Sequence, residues 1–153
     1  MSTAIRAAIA EDAPQLVELL SRQMAEHHLR TTPEALSLAV AAALGNPGVG
    51  SFLVAVVGEE IVGVAYIAFL HSIEHAGAIA LLEELYVMPE HRGRGAGSAL
   101  LRSAVEQFSV APGRPMELEV DASHREAESF YQRHGFTIRQ RSRWIHVPSE
   151  PAF

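Results

Sequence analysis

The chain contains no cysteine. Disulfides, thiolate metal sites and a cysteine nucleophile are therefore excluded, and any acyl chemistry must proceed without a thioester on the enzyme. An excess of positive charge is also missing: 12 basic against 18 acidic side chains give a formal charge of −6 and a pI near 5.7. Nucleic acid as the main partner needs a basic face, so this balance argues against it and favours a cationic ligand. No apolar run reaches membrane-spanning length, and the opening residues MSTAIRAAIAEDAP lack the cationic start and continuous apolar stretch of a signal peptide. A soluble, cytoplasmic protein with no membrane partner is expected. Low-complexity tracts and internal repeats are absent too. With 48% hydrophobic residues in 153, the expectation is a single domain over 1–153, with a flexible tail from about residue 148.

Hydrophobic periodicity and turn chemistry order what is present. Thr3 to Ala8 alternates as a short strand. Asp12 can cap a helix with Pro14 in its first turn, and Leu16, Leu19, Leu20 and Met24 share one face of it. Thr32 and Pro33 open a second helix that Gly45, Asn46 and Pro47 stop. Ser51–Val57 and Ile61–Leu70, joined at Gly58-Glu59-Glu60, read as an antiparallel hairpin. After the loop HSIEHAGA comes a strand over Ile79–Met88. A glycine loop follows, then a helix opening near Gly97 that buries Leu101, Ala104, Val105 and Phe108 and stops at Pro112-Gly113. Met116–Val120 is a strand, parallel to its neighbour because a helix crosses between them. A helix carrying Ala127, Phe130 and Tyr131 ends at Gly135, and Phe136–Val147 supplies one or two final strands around Trp144. The sum is an α/β fold, a mixed sheet of six to seven strands with about four helices on its two faces.

The strongest chemical signal is Arg92-Gly93-Arg94-Gly95-Ala96-Gly97, placed between a strand and a helix. A helix start has main-chain N–H groups without partners and partial positive charge, so a glycine approach lets a phosphate reach the amides. The spacing is not that of a Walker loop, since no Gly-Lys-Ser/Thr ends it, and it is a poor dinucleotide fingerprint. A turn needing glycine only for its dihedrals would not call for the two arginines. Eight histidines invite a metal, with Glu26, His27 and His28 near one helix end and His71 and His75 in a loop, but no set has ligand spacing, and no metal is expected.

The run LYVMPEHRGRGAGSALL resembles the acetyl-CoA-binding motif of the GNAT N-acetyltransferase superfamily, an apolar strand ending in valine and then Arg/Gln-x-x-Gly-x-Gly/Ala. Val87, Arg92, Gly95 and Gly97 stand at those positions. A second motif of the family, Asn-x-x-Ala-x-x-Phe-Tyr-x-x-x-Gly-Phe, is similar to Ala127, Phe130, Tyr131, Gly135 and Phe136, with His124 where asparagine is usual. The order of elements fits along essentially the whole chain.

The resemblance implies a GNAT-like, mostly antiparallel sheet around a central strand, phosphate loop and helix. It implies acetyl-CoA as cosubstrate, its pyrophosphate on Arg92, Gly93, Arg94, Gly95, Ala96, Gly97 and Ser98 and its pantetheine arm along the backbone at Leu85 and Val87. Direct attack by an amine then needs a base, oxyanion donors and an acid for the leaving thiolate. Tyr131 is the candidate acid, the N–H of Val87 a candidate oxyanion donor, and Glu83 or Glu84 the candidate base. Strand alternation would aim only one of these carboxylates at the acceptor, with a slight preference for Glu83. A carboxylate in a largely apolar strand otherwise needs a partner. Glu83, Glu84, Glu117, Glu119 and Asp121 favour a small cationic amine or polyamine as acceptor, and Glu26, His27, His71, Glu74 and His75 border the region where relatives place it. Trp144, Ile145 and Val147 would permit a homodimer through the final strands. Two rivals remain at this stage. One is an acyl-CoA-binding sensor without catalysis, and the other a binder of nucleotide phosphate unrelated to CoA.

Overall fold

The computed structural model describes residues 2–109 and 114–149. Among these residues five strands form one sheet in chain order: β1 (Thr3–Ala7), β2 (Gly50–Val57), β3 (Glu60–Ser72), β4 (Gly77–Val87) and β5 (Met116–Leu118). Every neighbouring pair is antiparallel except β4 and β5, which are parallel. The helices are α1 (Ala13–Glu26), α2 (Pro33–Leu44), α3 (Ala96–Phe108) and α4 (Glu126–Arg133). As expected, α3 makes the crossover that parallel pairing requires.

Apolar residues on both faces of β2 and β3 bury these strands between helices. Leu16, Leu19 and Leu20 of α1, Leu36 and Val40 of α2, and Leu100, Leu101 and Ala104 of α3 close the core. Adjacent residues of β4 show which helix covers which face. The Tyr86 hydroxyl donates to Glu26 on α1, whereas Val87 stands beside the α carbons of Gly63 and Gly97, on the α3 side. Successive strand residues point oppositely, so α1 and α3 lie on opposite faces of the sheet.

Local chemistry accounts for most boundaries. Thr32 Oγ1 accepts the N–H of Ala35 at 3.1 Å and Pro33 opens α2. Asp12 does not cap α1 through its side chain. Its carboxylate instead accepts the N–H of Ile9 and a bidentate contact from Arg6, which pins β1 to the helix start. The hairpin of β3 and β4 runs further than the loop reading allowed, to the pair Ser72 and Gly77, so His71 and Ala78 are strand residues.

The sheet has fewer strands than expected. Residues 136–149 form no strand, and β5 stops at Leu118. The cause is a lack of burial: from Thr137 onward every described residue is exposed, so a further ladder would cover no apolar face. Side-chain ion pairs tether the segment instead, Arg139 to Glu117 and Glu74, Arg141 to Glu74, and Arg143 to Glu119. Pro112-Gly113, and the end of the expected tail at residues 150–153, lie outside the described residues. No described helix is long and apolar enough to cross a membrane.

Candidate functional site

The site is organised by a fault in the pairing of β3 with β4. Ile67 pairs with Leu82 and Tyr66 with Glu84, so Glu83 is an extra residue. Such a bulge sets two residues against one and reverses the phase of the backbone beyond it. Ahead of it, the N–H of Ala80 points to β5, donating to Pro115 O at 3.3 Å. Behind it, the N–H of Met88 points to β3, donating to Val62 O at 2.9 Å. By alternation the polar groups of Leu85 and Val87 therefore face the β5 side. There β5 has already departed, since its pairing with β4 ends at Leu82 and Leu118. Leu85 and Val87 thus present main-chain groups to a gap between two diverging parallel strands.

The loop after β4 completes that gap. Gly93 and Gly95 have φ of 76° and 88°, a region open to glycine, and a Cβ at either position would meet nothing within 4 Å. The main-chain N–H groups from Gly93 to Ser98 donate to no acceptor among the described residues. At the start of α3 these form a positively polarised set of donors without protein acceptors among the described residues. Arg94 is exposed and enters no ion pair among the described residues. Arg92 is different: its Nε donates to Val87 O at 2.8 Å, and its guanidinium makes two 3.0 Å bonds to Glu26 while lying over the Tyr86 ring.

The two carboxylates of the bulge have unlike surroundings. Glu83 is exposed and Glu84 half-buried. Burial, then the charge of Glu83, pushes the Glu84 carboxyl above the usual carboxylate range, with the Gln23 side chain pulling weakly the other way. Gln23 is itself buried, and its Oε1 has no partner among the described residues. Opposite the bulge, burial and then Glu83 push the Tyr66 hydroxyl up. Tyr131, half-buried on α4 between Phe130 and Phe136, is raised by burial first and by the charge of Glu84 second. The phenol therefore stays protonated at neutral pH, within the field of the more buried carboxylate. It also lines a cavity of about 530 Å³ between β5, α4 and the chain from Phe136 to Arg143.

The structure brings Val87 against the start of α3 at Gly97, with Leu85 on the same strand edge, and the charge of Glu84 reaches the Tyr131 hydroxyl. It does not gather the remaining acidic candidates. Glu117 and Glu119 face arginines, Glu74 is held between Arg139 and Arg141, and Asp121 accepts from the N–H and hydroxyl of Ser123. His27 stacks on His124 with ring centroids 4.6 Å apart, tying the end of α1 to the loop after β5. His75 approaches Glu117, and no group of three potential metal ligands exists among the described residues. Sequence reasoning passed over Gln23 and Tyr86. Tyr86 carried a signal, as the one polar aromatic in the strand before the loop, whereas Gln23 carried none.

Residues 48–138 match the family model of the acetyltransferase (GNAT) domain, more than half of the chain, and the protein belongs to that family. Within it, a stretch of 77 residues is 35% identical to the aminoalkylphosphonate N-acetyltransferase of Salmonella typhimurium, covering 50% of each chain. The chain spans about half the length, or less, of the curated relatives it matches. A possible acetyltransferase from Clostridium difficile 630 superposes with a TM-score of 0.87 at 17% identity, over 98% of this chain and 100% of that one. An aminoglycoside N-acetyltransferase solved with CoA gives 0.82 at 15% identity, over 95% of each. At those identities the likeness is one of fold.

Proposed function

We propose that the protein is an acetyl-CoA-dependent N-acetyltransferase that passes the acetyl group directly to a small primary amine. The observation that carries this reading is the run of unpartnered N–H groups from Gly93 to Ser98 beside a strand edge left open past Leu82. A pyrophosphate needs such donors, and an amide-bearing arm needs such an edge, so the residues present fit acetyl-CoA. Acetyl-CoA supplies the activated thioester. The chain supplies everything else.

Leu85 and the N–H of Val87 orient the arm, since the Val87 carbonyl already accepts Arg92. In this reading the Val87 N–H also steadies the oxyanion that forms on amine attack. Glu84 is the better base of the pair. Burial raises its pKa and so its proton affinity, and Glu83 adds to that rise through space. Tyr131 donates the proton that the departing thiolate takes up. With Glu117 and Glu119 matched by arginines and Asp121 turned to Ser123, Glu83 and Glu84 are the members of that acidic set left to draw an ammonium group towards the gap. The Salmonella relative, named for aminoalkylphosphonates, puts amines that also carry an anion beside polyamines among the acceptors to try.

The test is thiol release from acetyl-CoA across a panel of polyamines, aminoalkylphosphonates and amino sugars, followed by Tyr131→Phe on the best acceptor. Losing the hydroxyl should lower kcat by about 10²-fold or more with CoA affinity unchanged. Unchanged turnover would remove Tyr131 from the mechanism. CoA binding without turnover on any amine would leave an acyl-CoA-binding module in place of an enzyme.

A further inference from the structure

Helix α1 reaches the cofactor loop through two ion pairs of opposite polarity. One joins Arg22 to Glu90 at 3.1 Å, with both side chains well exposed. The other, Glu26 with Arg92, is a paired two-point contact at 3.0 Å, and it does not stand alone. Glu26 Oε2 also accepts the Tyr86 hydroxyl at 2.9 Å, and Arg92 Nε caps the carbonyl of Val87 at 2.8 Å. The guanidinium is thus fixed on one edge by a carboxylate, on another by the last residue of β4, and on its face by the Tyr86 ring. An arginine held this way has spent its fork within the protein. It is a poor candidate to turn and grasp a phosphate, although Arg92 is the residue that the loop motif would nominate for that role.

We infer that Arg92 is a positioning residue rather than a phosphate ligand. In this arrangement Glu26 and Arg92 form a strut that sets the height and direction of the loop Gly93–Ser98 from the last turn of α1. The pyrophosphate is then left to the loop amides and to Arg94. The inference rests on the reading of this loop as the acetyl-CoA site, and it gives Glu26 a role in cofactor binding that its distance in sequence from the loop conceals. The same turn of α1 carries Gln23 against Glu84 and His27 against His124. Displacement of the strut should therefore be felt on both sides of the gap.

A double-mutant cycle decides between strut and ligand. CoA binding by calorimetry and the KM for acetyl-CoA are measured for wild type, Glu26→Gln, Arg92→Gln, the double variant and Arg92→Lys, with circular dichroism to establish folding. As a strut, the two single variants weaken CoA by similar factors, on the order of tenfold, with kcat changed much less. The double variant is then no worse than either single one, because the two changes break one unit. Arg92→Lys does not rescue, since an ammonium keeps the charge but loses the fork and the bond to Val87. As a ligand, Arg92→Gln weakens CoA alone, Glu26→Gln is neutral or tightens binding by freeing the guanidinium, and Arg92→Lys largely rescues; that pattern overturns the inference. Lower melting temperatures with unaltered CoA affinity overturn it as well. Should Glu26→Gln fail to fold, Glu26→Asp gives the same comparison with a shortened arm. Absence of CoA binding by the wild-type protein would sink the cosubstrate reading and this inference together, whereas normal binding with unequal single effects sinks the strut alone.

Discussion

From β1 to α4 the chain keeps its shape by burial, and over residues 137–149 by charge. In the first region Leu16, Leu19, Leu53, Ile67, Leu100 and Leu101 have no measurable exposure, and strands β2 and β3 are covered on both faces. In the second, Trp144 is 89% and Ile145 87% exposed, and the contacts that fix the segment are arginine–glutamate pairs at the surface. Apolar burial contributes about 25 cal/mol for each Å², while an exposed ion pair contributes about 0–1 kcal/mol and is screened by salt. The proposed site straddles this boundary. The amides of the loop, Leu85, Val87 and Glu84 belong to the buried platform. Tyr131 faces the cavity whose far wall is the charged segment. The difference assigns precision to the cofactor side and adaptability to the other.

The sharpest way to exploit that contrast is the carboxylate pair. Glu84 sits on the platform with a raised pKa, and a base must be ionised to accept a proton. Activity should therefore fall as pH drops through a value above 4.5. Glu84→Gln should remove that limb and lower kcat by about 10²-fold or more. Glu83→Gln takes away a negative neighbour, so the limb should move to lower pH while kcat near neutrality is largely kept. A Glu84→Gln enzyme with wild-type kcat and an intact limb would return the base to Glu83 or to water.

Stability separates the two regions next. Leu100→Ala, in a fully buried position of α3, should cost about 2–5 kcal/mol in chemical denaturation. Ile138→Ala, 65% exposed beyond β5, should stay within about 0.5 kcal/mol of wild type. Comparable losses at the two positions would mean that the charged segment is an integral layer of the core.

The same boundary explains what could be read from the amino acids alone. Strands β1 to β4, the helices and the crossover were legible because burial imposes a period, and the loop was legible because anion binding at a helix start demands glycine at particular places. The final strands over Phe136–Val147 were expected from β-forming residues such as Ile138, Trp144 and Ile145. Propensity without a face to bury does not form a ladder, and the glutamates that take up Arg139, Arg141 and Arg143 are remote in sequence. The bulge was hidden for a related reason. Alternation predicts that Glu83 and Glu84 point apart, and only the pairing of Tyr66 with Glu84 and of Ile67 with Leu82 reveals the extra residue. Glu26 reads, beside His27 and His28, as part of a helix end bordering the acceptor region, and its bonds to Arg92 and Tyr86 join parts of the chain that no local pattern connects.

Within the platform, the loop itself yields a smaller effect. Gly95 has φ of 88° with open space where a Cβ would stand, so Gly95→Ala meets backbone strain and no clash. A loss of roughly 1–2 kcal/mol is expected. Gly97 is helical, and its Cβ would make ordinary contacts with Val87 at 3.8 Å and Phe130 at 3.9 Å. Gly97→Ala should therefore be neutral for folding. Equal destabilisation by the two changes would contradict the loop geometry.

The smallest effect lies in the charged segment and is best read locally. The guanidinium groups of Arg141 and Arg139 hold the Glu74 carboxyl down to about 2, from an unperturbed 4.5. A group with a depressed folded pKa gives its full contribution above the unperturbed value and loses it as pH falls from about 4.5 towards 2. Trp144 is the only tryptophan in the chain and lies in the tethered segment, its indole N–H bonded to Ser142 Oγ at 2.8 Å. Its fluorescence anisotropy should drop across that acid range before the circular dichroism of the sheet changes, because protonation releases the tether and leaves the buried platform folded. Raising salt at pH 7 should move the signal the same way by a lesser amount. Glu74→Gln should show part of the drop already at neutral pH, with the acid step diminished. A single transition shared by both probes would instead show that the segment is fastened by packing, and the contrast between the two regions would then fail at its weakest contact.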